Sequence, residues 1–386
     1  MMNSGTAPRM VEWEEAGQWR TAEWPEHWGL RVPSRLQATR DTDPVAAYRQ
    51  ASAGTGLIWR GPWAQGREVL AAMGRHFDQV QARKQRQPVS LTLSERWQQE
   101  RQTQALRLRI LQQWLVELDD QWALCCEQAM PVAQACLEAL GPAQGHHRLM
   151  PLRHVLGMVS AHEWRKKGVP VAALGAHIHP HYGVFAPVRS EYLKLLMQAP
   201  LPAALQQGAA TWDIGTGTGV IAACLARRGV RGIVATDVSA RALACARDNL
   251  DRLGLSDAAS VQEADLFPVG QAGLVVCNPP WVPGPAHSSL DQAVLDPDSR
   301  MLRGFLQGLR ERLCEGGEGW LILSDLAEHL GLRTRTELLG WIADARLQVL
   351  GRLDIRPEHP RSQDAQDPLH AARRQEVTSL WRLGRA

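Results

Sequence analysis

The segment that most constrains the fold is residues 211–230, TWDIGTGTGVIAACLARRGV, where an apolar run meets three closely spaced glycines. The run predicts a strand ending at Ile214, the glycines predict a turn, and the remainder predicts a helix from about Val220. Glycines permit positive φ angles and let a ligand approach the backbone. Strand-like and helix-like segments keep alternating after Leu201. This alternation predicts an α/β fold, a parallel sheet covered by helices.

Acidic residues lie at the carboxyl ends of three successive predicted strands. Asp213 precedes the first glycine of the turn, Asp237 lies 24 positions later (237 − 213) in GIVATDVS, and Asp265 lies in VQEADLFP. An acid at the end of the second strand is placed to accept hydrogen bonds from both ribose hydroxyls of an adenosyl ligand. Asp265 is placed to meet the adenine amino group, with Leu266 and Phe267 available to pack on the ring.

The glycine spacing G-T-G-T-G differs from the G-x-G-x-x-G that accommodates a pyrophosphate. Asp213 would also repel a diphosphate, whereas it would attract a ligand with cationic groups. S-adenosylmethionine has two such groups, a sulfonium and an amino group, and is therefore the predicted cofactor.

Four motifs together resemble the class I S-adenosylmethionine-dependent methyltransferases, and most of all the branch that methylates planar nitrogens. They are D-I-G-T-G-T-G at 213–219, A-T-D-V-S at 235–239, E-A-D-L-F at 263–267 and N-P-P-W at 278–281. The resemblance covers about residues 180–386. It implies a Rossmann-like sheet that is mostly parallel, with the last strand, in QEVTSLWRL, inserted antiparallel. The residues predicted to bind the cofactor are Asp213, Gly215, Thr216, Gly217, Gly219, Asp237, Asp265, Leu266 and Asn278.

The N-P-P-W motif explains how a planar nitrogen can be methylated. Such a nitrogen is a poor nucleophile because its lone pair is delocalised, but two acceptors on its N–H bonds can turn that lone pair toward the methyl donor. The side-chain oxygen of Asn278 and the carbonyl of Pro279 are the predicted acceptors, and the two prolines constrain their directions. The rate gain comes from orientation and from acceptors aligned on the transition state.

The strand at 272–277 brings this motif to the carboxyl edge of the sheet, where ligands of α/β proteins bind. Trp281 is predicted to stack on the flat substrate group. Relatives usually have Tyr or Phe at this position, so Trp281 is a departure that bears on substrate shape. The predicted catalytic residues are Asn278, Pro279, Pro280 and Trp281.

The stretch HPHYGVFAPVRSEYLKLL resembles the β-hairpin that precedes the catalytic domain in the HemK-like, or release-factor glutamine, methyltransferases. The arginine stands one position later than in that family, and the second proline is missing. The resemblance implies that residues 183–189 line the cofactor pocket. The residues predicted to contact substrate are Phe185, Pro187, Arg189 and Trp281.

Three alternating histidines precede this stretch, at His177, His179 and His181. Three imidazoles on one face of a strand could bind zinc. However, Pro180 interrupts the strand, and no cysteine or carboxylate nearby completes a site. We therefore predict a surface or substrate-facing strand and no metal.

A chain of 386 residues predicts two domains. Residues 1–12 are predicted to be a disordered lead-in, and two or three short helices are predicted between residues 12 and 65. Ser94 is the predicted N-cap of a long amphipathic helix whose apolar face includes Leu111, Trp114, Leu115, Leu118 and Trp122.

The fifteen tryptophans include nine before residue 130. They are predicted to pack in a helical core or, alternatively, to form a docking surface.

These patterns predict a mainly helical N-terminal domain at 1–145 that recognises substrate, a linker and β-hairpin at 146–200, and a catalytic domain at 201–386. The polar, arginine-rich stretch 356–375 is predicted to be a loop near the substrate or a plain connection.

A net charge of +3 does not by itself indicate a nucleic-acid binder. Seven irregularly spaced cysteines predict reduced thiols and a cytoplasmic protein, and no signal peptide or membrane span is expected.

The predicted function is methylation of a protein side-chain amide, with a translation-related protein as partner. The alternatives are an exocyclic amino group in ribosomal or transfer RNA, since arginine suits phosphate, and a non-catalytic cofactor-binding module.

Overall fold

A computed structural model describes residues 8–25, 29–84, 91–187, 189–286, 291, 293–357, 367 and 369–386. The chain divides into two compact units. The first comprises Met1–Ser90 and Gln98–Glu163, and the second comprises Leu91–Trp97 and Trp164–Ala386. The predicted division of roles among residues 1–145, 146–200 and 201–386 stays a prediction.

The first unit is built on a six-stranded sheet with the strand order β1-β2-β6-β5-β4-β3. Strands β3, β4 and β5 are parallel, while β1 with β2 and β5 with β6 form antiparallel pairs. The strands are β1 (Met10–Glu15), β2 (Gln18–Glu23), β3 (Arg35–Thr39), β4 (Thr55–Trp59), β5 (Trp114–Leu118) and β6 (Arg148–Pro151). The helices are α1 (Pro44–Ser52), α2 (Trp63–Lys84), α3 (Leu93–Leu111), α4 (Ala133–Leu140) and α5 (Leu152–Lys167), of which α3 and α5 each have residues in both units.

The prediction of a mainly helical N-terminal domain missed this sheet. Between residues 12 and 65 the chain forms four strands and α1 rather than two or three short helices. The predicted disordered lead-in is wrong from Met10 onward, where β1 begins, and residues 1–7 lie outside the described residues.

The predicted long helix is wrong in its second half. Helix α3 ends at Leu111, and Trp114–Leu118 is strand β5, in which every residue is buried. A strand covered on both faces is a continuous apolar run, which periodicity cannot distinguish from a buried helix.

The N-cap of α3 is Thr92 and not the predicted Ser94. Thr92 forms a capping box with Glu95, because the Glu95 N–H donates to Thr92 Oγ1 (3.2 Å) and the Thr92 N–H donates to Glu95 Oε2 (2.9 Å).

The tryptophans of the first unit mostly pack in its interior, as one of the two interpretations predicted. Six of them are buried, whereas Trp19 is 73% exposed. Five of the six indole N–H groups find acceptors within the fold, as when Trp114 donates to the Gly66 carbonyl at 3.0 Å, whereas that of Trp63 is buried without a partner among the described residues. The buried six are Trp13, Trp24, Trp59, Trp63, Trp114 and Trp122.

The second unit contains a seven-stranded sheet and two strand pairs. Its strands are β7 (Val169–Val171), β8 (Ala176–Ile178), β9 (Thr211–Ile214), β10 (Ile233–Asp237), β11 (Ala259–Glu263), β12 (Ala272–Cys277), β13 (Val282–Pro283), β14 (Leu295–Asp296), β15 (Leu313–Ser324), β16 (Leu347–Ile355) and β17 (Thr378–Arg385). Its helices are α6 (Glu191–Gln198), α7 (Val220–Arg227), α8 (Ala240–Arg252), α9 (Arg300–Arg312), α10 (Leu326–His329), α11 (Arg335–Asp344) and α12 (His370–Gln375).

The order of the large sheet is β11-β10-β9-β12-β15-β17-β16. Strand β17 runs antiparallel to both of its neighbours, and all other pairings in the sheet are parallel. The predicted Rossmann-like sheet with an antiparallel last strand is thereby confirmed. The order reverses between β9 and β12, so a crevice for a ligand opens at the carboxyl ends of these two strands.

The predicted hairpin is displaced along the chain. Strands β7 and β8 form an antiparallel pair, with Val169 opposite Ile178, and the described residues of the G-V-F-A-P-V-R stretch that follows lie outside strands. Proline cannot donate to a strand ladder, and Gly183 has a φ of +78°. Residue 188 lies outside the described residues.

All seven cysteines carry free thiols, as their irregular spacing predicted. Among the described residues, no helix has the length and apolar character needed to cross a membrane. Of the arginine-rich stretch 356–375, residues 358–366 and 368 lie outside the described residues, and the end of the stretch forms α12.

Candidate active site

The glycine turn follows β9 at the predicted position. Gly215, Gly217 and Gly219 all have positive φ angles, of +69°, +55° and +80°. At Gly219 a Cβ atom would also lie 3.2 Å from the Cα of Ala246 in α8, so this glycine allows the turn to pack closely on the helix. The Thr216 N–H donates to the carbonyl of Thr236 at 2.8 Å, which ties the turn to β10.

Asp213 is fully buried at the end of β9. Its Oδ2 atom accepts hydrogen bonds from Thr216 Oγ1 (2.6 Å) and from the Ala222 N–H (3.1 Å). Burial raises the pKa of this carboxyl to about 6, although these two donors oppose the shift. Its Oδ1 atom is buried without a hydrogen-bond partner among the described residues. A buried carboxylate oxygen without a donor fits a ligand that brings a cationic N–H group.

Asp237 connects two backbone segments at the end of β10. Its Oδ2 atom accepts from the Gly217 N–H at 3.1 Å, and its Oδ1 atom accepts from the Ser239 N–H at 2.9 Å. A carboxylate oxygen can accept two hydrogen bonds. Each oxygen therefore retains acceptor capacity toward the hydroxyls of a ligand.

The third acid, Asp265, is less enclosed by the protein than Asp213 and Asp237 are. Asp265 lies two residues beyond β11 and is exposed. The Leu266 backbone is held by a hydrogen bond from Thr236 Oγ1 to its carbonyl (2.8 Å), at a positive φ of +67°. The Phe267 ring is partly buried and stacks on Phe305 with the centroids 5.9 Å apart, and whether it also packs on adenine stays a prediction.

Asn278 follows β12 directly, and Cys277 at the end of β12 lies opposite Ile214 at the end of β9. The register places the N-P-P-W motif beside the glycine turn. The Trp281 indole N–H donates to Asn278 Oδ1 at 2.8 Å. Burial raises the pKa of Tyr192, and a side-chain hydrogen bond from the Asn278 amide N–H to the Tyr192 hydroxyl opposes this rise. An amide oxygen accepts two hydrogen bonds, so one acceptor position of Asn278 Oδ1 remains for a substrate N–H.

Trp281 is supported from two sides. The Tyr192 ring meets it edge-on, with the ring centroids 6.4 Å apart and the planes at 88°. The Arg189 guanidinium lies over it at 5.2 Å from the ring centroid, within the range of a cation–π contact. These contacts hold the indole so that its N–H points at Asn278.

Two buried carboxylates hold Arg189. Arg189 donates to Glu191 Oε1 at 3.0 Å and to Glu376 Oε1 at 3.1 Å, and Glu376 also accepts from Ser324 Oγ at 2.7 Å. Burial opposes the charge of Arg189, but Glu376 and Glu191 together raise its pKa above the ordinary value. The guanidinium that was predicted to contact substrate is thus bound within the protein, and any contact of Arg189 with substrate stays a prediction.

Sequence reasoning missed Glu191, Tyr192 and Glu376. The first two stand two and three positions after Arg189, so their closeness to a predicted site residue was an available signal. Glu376 is 187 positions from Arg189 and offered none.

The other predicted residues are placed as follows. Phe185 is 43% exposed, Pro187 is buried, and whether either contacts substrate stays a prediction. His177 is exposed on β8, His179 Nδ1 is hydrogen bonded to the Arg165 carbonyl (2.6 Å), and His181 Nε2 is hydrogen bonded to Asp248 Oδ2 (3.0 Å). The three imidazoles therefore have separate surroundings.

We expect Asp237→Ala to weaken S-adenosylmethionine binding by about 10- to 100-fold, because hydrogen bonds to a charged group contribute about 1.5–3 kcal/mol each. The substitution also frees the amides of Gly217 and Ser239. Titration calorimetry measures the change. Asp265→Ala is the matched comparison at the exposed third acid. If it weakened S-adenosylmethionine binding as much as Asp237→Ala does, Asp237 would not be the more important of the two acids.

Arg189→Met is expected to lower the free energy of unfolding by about 3–5 kcal/mol, because it leaves two buried carboxylates without their counter-ion. Arg352→Met is the matched control. Arg352 also pairs with a carboxylate, Asp354 at 2.8 Å, and lies over a tryptophan ring, but its side chain is 37% exposed. The control should change stability by less than about 1 kcal/mol. Equal losses in urea unfolding would contradict the role assigned to burial.

Comparison with known proteins finds similarity to methyltransferases. The family model of the methyltransferase small domain matches residues 175–331. The release factor glutamine methyltransferase of Gloeobacter violaceus is 31% identical over 190 residues, which cover 47% of this chain and 58% of that protein. The ribosomal protein uL3 glutamine methyltransferase of Bordetella pertussis is 28% identical over 144 residues, which cover 33% of this chain and 48% of that protein.

Among solved structures, the ribosomal protein L11 methylase from Lactobacillus delbrueckii subsp. bulgaricus matches with a TM-score of 0.36 and 19% identity, over 56% of this chain and 89% of that one. The matched segments span less than two thirds of the curated relatives, for example 31% of the release factor glutamine methyltransferase of Chlorobaculum tepidum. The match of the family model, at residues 175–331, lies in the second unit, where the glycine turn and the N-P-P-W motif are found.

Proposed function

We propose, from the premise that the second unit carries a class I S-adenosylmethionine-dependent methyltransferase domain, that this domain methylates the side-chain amide nitrogen of a glutamine in a translation-related protein. The premise rests on the match to residues 175–331 and on the sheet order. The choice of acceptor is supported by similarity to glutamine methyltransferases named for a release factor and for a ribosomal protein.

The observation that carries the proposal is the position of Asn278. Its amide group stands at the carboxyl end of β12, beside the turn that follows β9, because Cys277 and Ile214 are register partners. An acceptor at this place can hold a planar nitrogen next to a cofactor bound at the turn.

The residues at the turn fit S-adenosylmethionine. Asp213 offers a cationic group a buried oxygen that has no donor among the described residues, and Asp237 offers acceptor capacity for two hydroxyls. Gly215, Thr216 and Gly217 would line the path between the two acids. When bound, the cofactor supplies an electrophilic methyl group on a positively charged sulfur.

The chain itself orients the acceptor. Asn278 Oδ1 and the Pro279 carbonyl accept the two N–H groups of the substrate amide, which directs its lone pair at the methyl group. Pro279 and Pro280 limit the backbone freedom of both acceptors. The orientation of the Asn278 side chain is supported by the hydrogen bond from Trp281 at 2.8 Å and by its contact with Tyr192. No strong base is required, since the nitrogen becomes acidic once it is methylated.

Transfer of a labelled methyl group tests the acceptor class. The 386-residue chain is incubated with methyl-labelled S-adenosylmethionine and a cell extract, and the product is digested with protease or with nuclease. Label that is released by protease and recovered as N-methylglutamine supports the proposal. Label released by nuclease assigns the RNA alternative instead. Cofactor binding without any label in protein or RNA would indicate a non-catalytic module.

A further inference from the structure

The first unit contains a cluster of three possible metal ligands that the proposed methyl transfer does not use. Glu117 lies in β5 with only 3% of its surface exposed. After a turn the chain returns, and the Cys125 N–H donates to the Glu117 carbonyl at 2.9 Å. His147 directly precedes β6, which pairs antiparallel with β5. Strand pairing therefore brings a carboxylate, a thiol and an imidazole together from positions 117, 125 and 147.

The ligand atoms of these three residues all lie within 4.8 Å of one another. His147 Nδ1 and Glu117 Oε1 are only 2.5 Å apart. Ligand atoms around a tetrahedral zinc ion are separated by about 3.4–3.8 Å, given bond lengths of about 2.0–2.3 Å. Small side-chain rotations would therefore allow one ion to take the place between the imidazole and the carboxylate and to reach the sulfur.

Arg60 is the group that would be expected to oppose a cation here. Its Nη2 atom lies 2.5 Å from Glu117 Oε2, but also 2.7 Å from Glu15 Oε2. Glu15 therefore offsets the positive charge. Because Arg60 holds Oε2 of Glu117 and leaves Oε1 facing His147, it acts as a partner that orients a ligand carboxylate.

We propose that Glu117, Cys125 and His147 form a binding site for a thiophilic divalent cation, with Zn²⁺ as the best match. A thiolate and an imidazole favour zinc, whereas Mg²⁺ and Ca²⁺ favour oxygen ligands. Three protein ligands leave a fourth position for water or another ligand. Cys125 also lines a cavity of about 530 Å³ bounded by Glu15, Arg60, Cys126 and Glu127, which provides access to the site.

The test uses the full-length protein after treatment with a chelator, titrated with Co²⁺ and then with Zn²⁺. One equivalent of Co²⁺ should produce a thiolate-to-cobalt charge-transfer absorption, and Zn²⁺ should abolish it. Cys125→Ser and His147→Gln should each weaken Co²⁺ binding by at least about 10-fold, since loss of even an outer partner costs that much. The adjacent residues provide matched controls. Cys126→Ser and His146→Gln should bind as the unchanged protein does.

A second measurement keeps the proposal testable if a variant fails to fold. In the unchanged protein, Zn²⁺ should slow alkylation of Cys125 by iodoacetamide at least about 10-fold relative to that of Cys126, as read by mass spectrometry of the two thiols. The absence of the charge-transfer band, its persistence in Cys125→Ser, or equal protection of both cysteines would each overturn the proposal. None of these readouts depends on methyl transfer.

Discussion

Replacing Asn278 with alanine is expected to reduce methyl transfer by about 10²- to 10³-fold, the effect of removing one preorganised hydrogen-bonding group from an active site. S-adenosylmethionine binding should weaken far less than turnover, even though Asn278 is also a predicted cofactor contact, because Asp213 and Asp237 at the glycine turn remain. The loss arises because a free amide nitrogen keeps its lone pair in conjugation unless two acceptors direct it. Single-turnover kinetics and titration calorimetry measure the two quantities separately.

Trp281→Phe is the matched companion to this variant. It keeps an aromatic ring over the site but removes the indole N–H that donates to Asn278 Oδ1 at 2.8 Å. We expect turnover to fall by about 10-fold, the equivalent of about 1.4 kcal/mol in a barrier, because the Asn278 amide gains rotational freedom. Full activity of Asn278→Ala would exclude the orientation mechanism, whereas full activity of Trp281→Phe would exclude only the positioning role of the indole.

Asp213→Asn is expected to weaken cofactor binding and, independently, to change how the free energy of unfolding depends on pH. The substitution preserves the size of the side chain and an acceptor for Thr216 and Ala222, but it removes the negative charge. S-adenosylmethionine binding should weaken by about 10- to 100-fold through loss of a charge-assisted contact. The pH dependence of stability should change as well, because the pKa of Asp213 is raised to about 6 in the folded protein.

The sign of this effect follows from proton binding. The pKa of Asp213 is raised from its ordinary value of 3.8 to about 6 in the folded protein. At pH values between these two, the folded protein holds a proton on Asp213 that the unfolded chain has released. Stability contributed by this group is therefore lost as the pH rises through that window, and the loss is complete above about pH 6. From pH 4.5 to 7.5, Asp213→Asn should gain about 2 kcal/mol in free energy of unfolding relative to the unchanged protein, at about 1.4 kcal/mol per pKa unit.

Urea unfolding at several pH values measures this difference, since the other titrating groups are shared by both proteins. S-adenosylmethionine binding by the unchanged protein should also weaken below about pH 6, where Asp213 becomes protonated, and this dependence should be absent in the variant. A stability difference independent of pH would show that Asp213 does not carry a buried charge.

The second unit could be predicted closely because its site residues and its strands share the same short segments. The predicted strand end at Ile214, the helix start at Val220 and the strand 272–277 all agree with the structure. In a parallel sheet, consecutive strand–helix units bring their carboxyl ends to one edge. Knowing the strands therefore placed Asp213, Asp237 and Asn278 together without knowledge of any long-range contact.

The first unit and the support beneath Trp281 could not be predicted in this way. The run at Trp114–Leu118 carries no alternation, because both of its faces are covered. Glu376, which lies just before the antiparallel last strand, accepts from Arg189 and from Ser324, and no local pattern indicates either long-range contact. The stacking of Phe267 on the Phe305 ring of α9 is likewise a long-range contact that no local pattern indicates.

The hydrogen bond between Trp281 and Asn278 makes this indole a spectroscopic probe of the acceptor site. An indole proton held by an amide oxygen resonates away from those of exposed tryptophans, and its frequency depends on how strongly that oxygen is engaged elsewhere. An acceptor amide that donates to the remaining position of Asn278 Oδ1 will weaken the bond from Trp281. Selective labelling of tryptophan would thus let nuclear magnetic resonance follow acceptor binding directly, before any methyl group has moved.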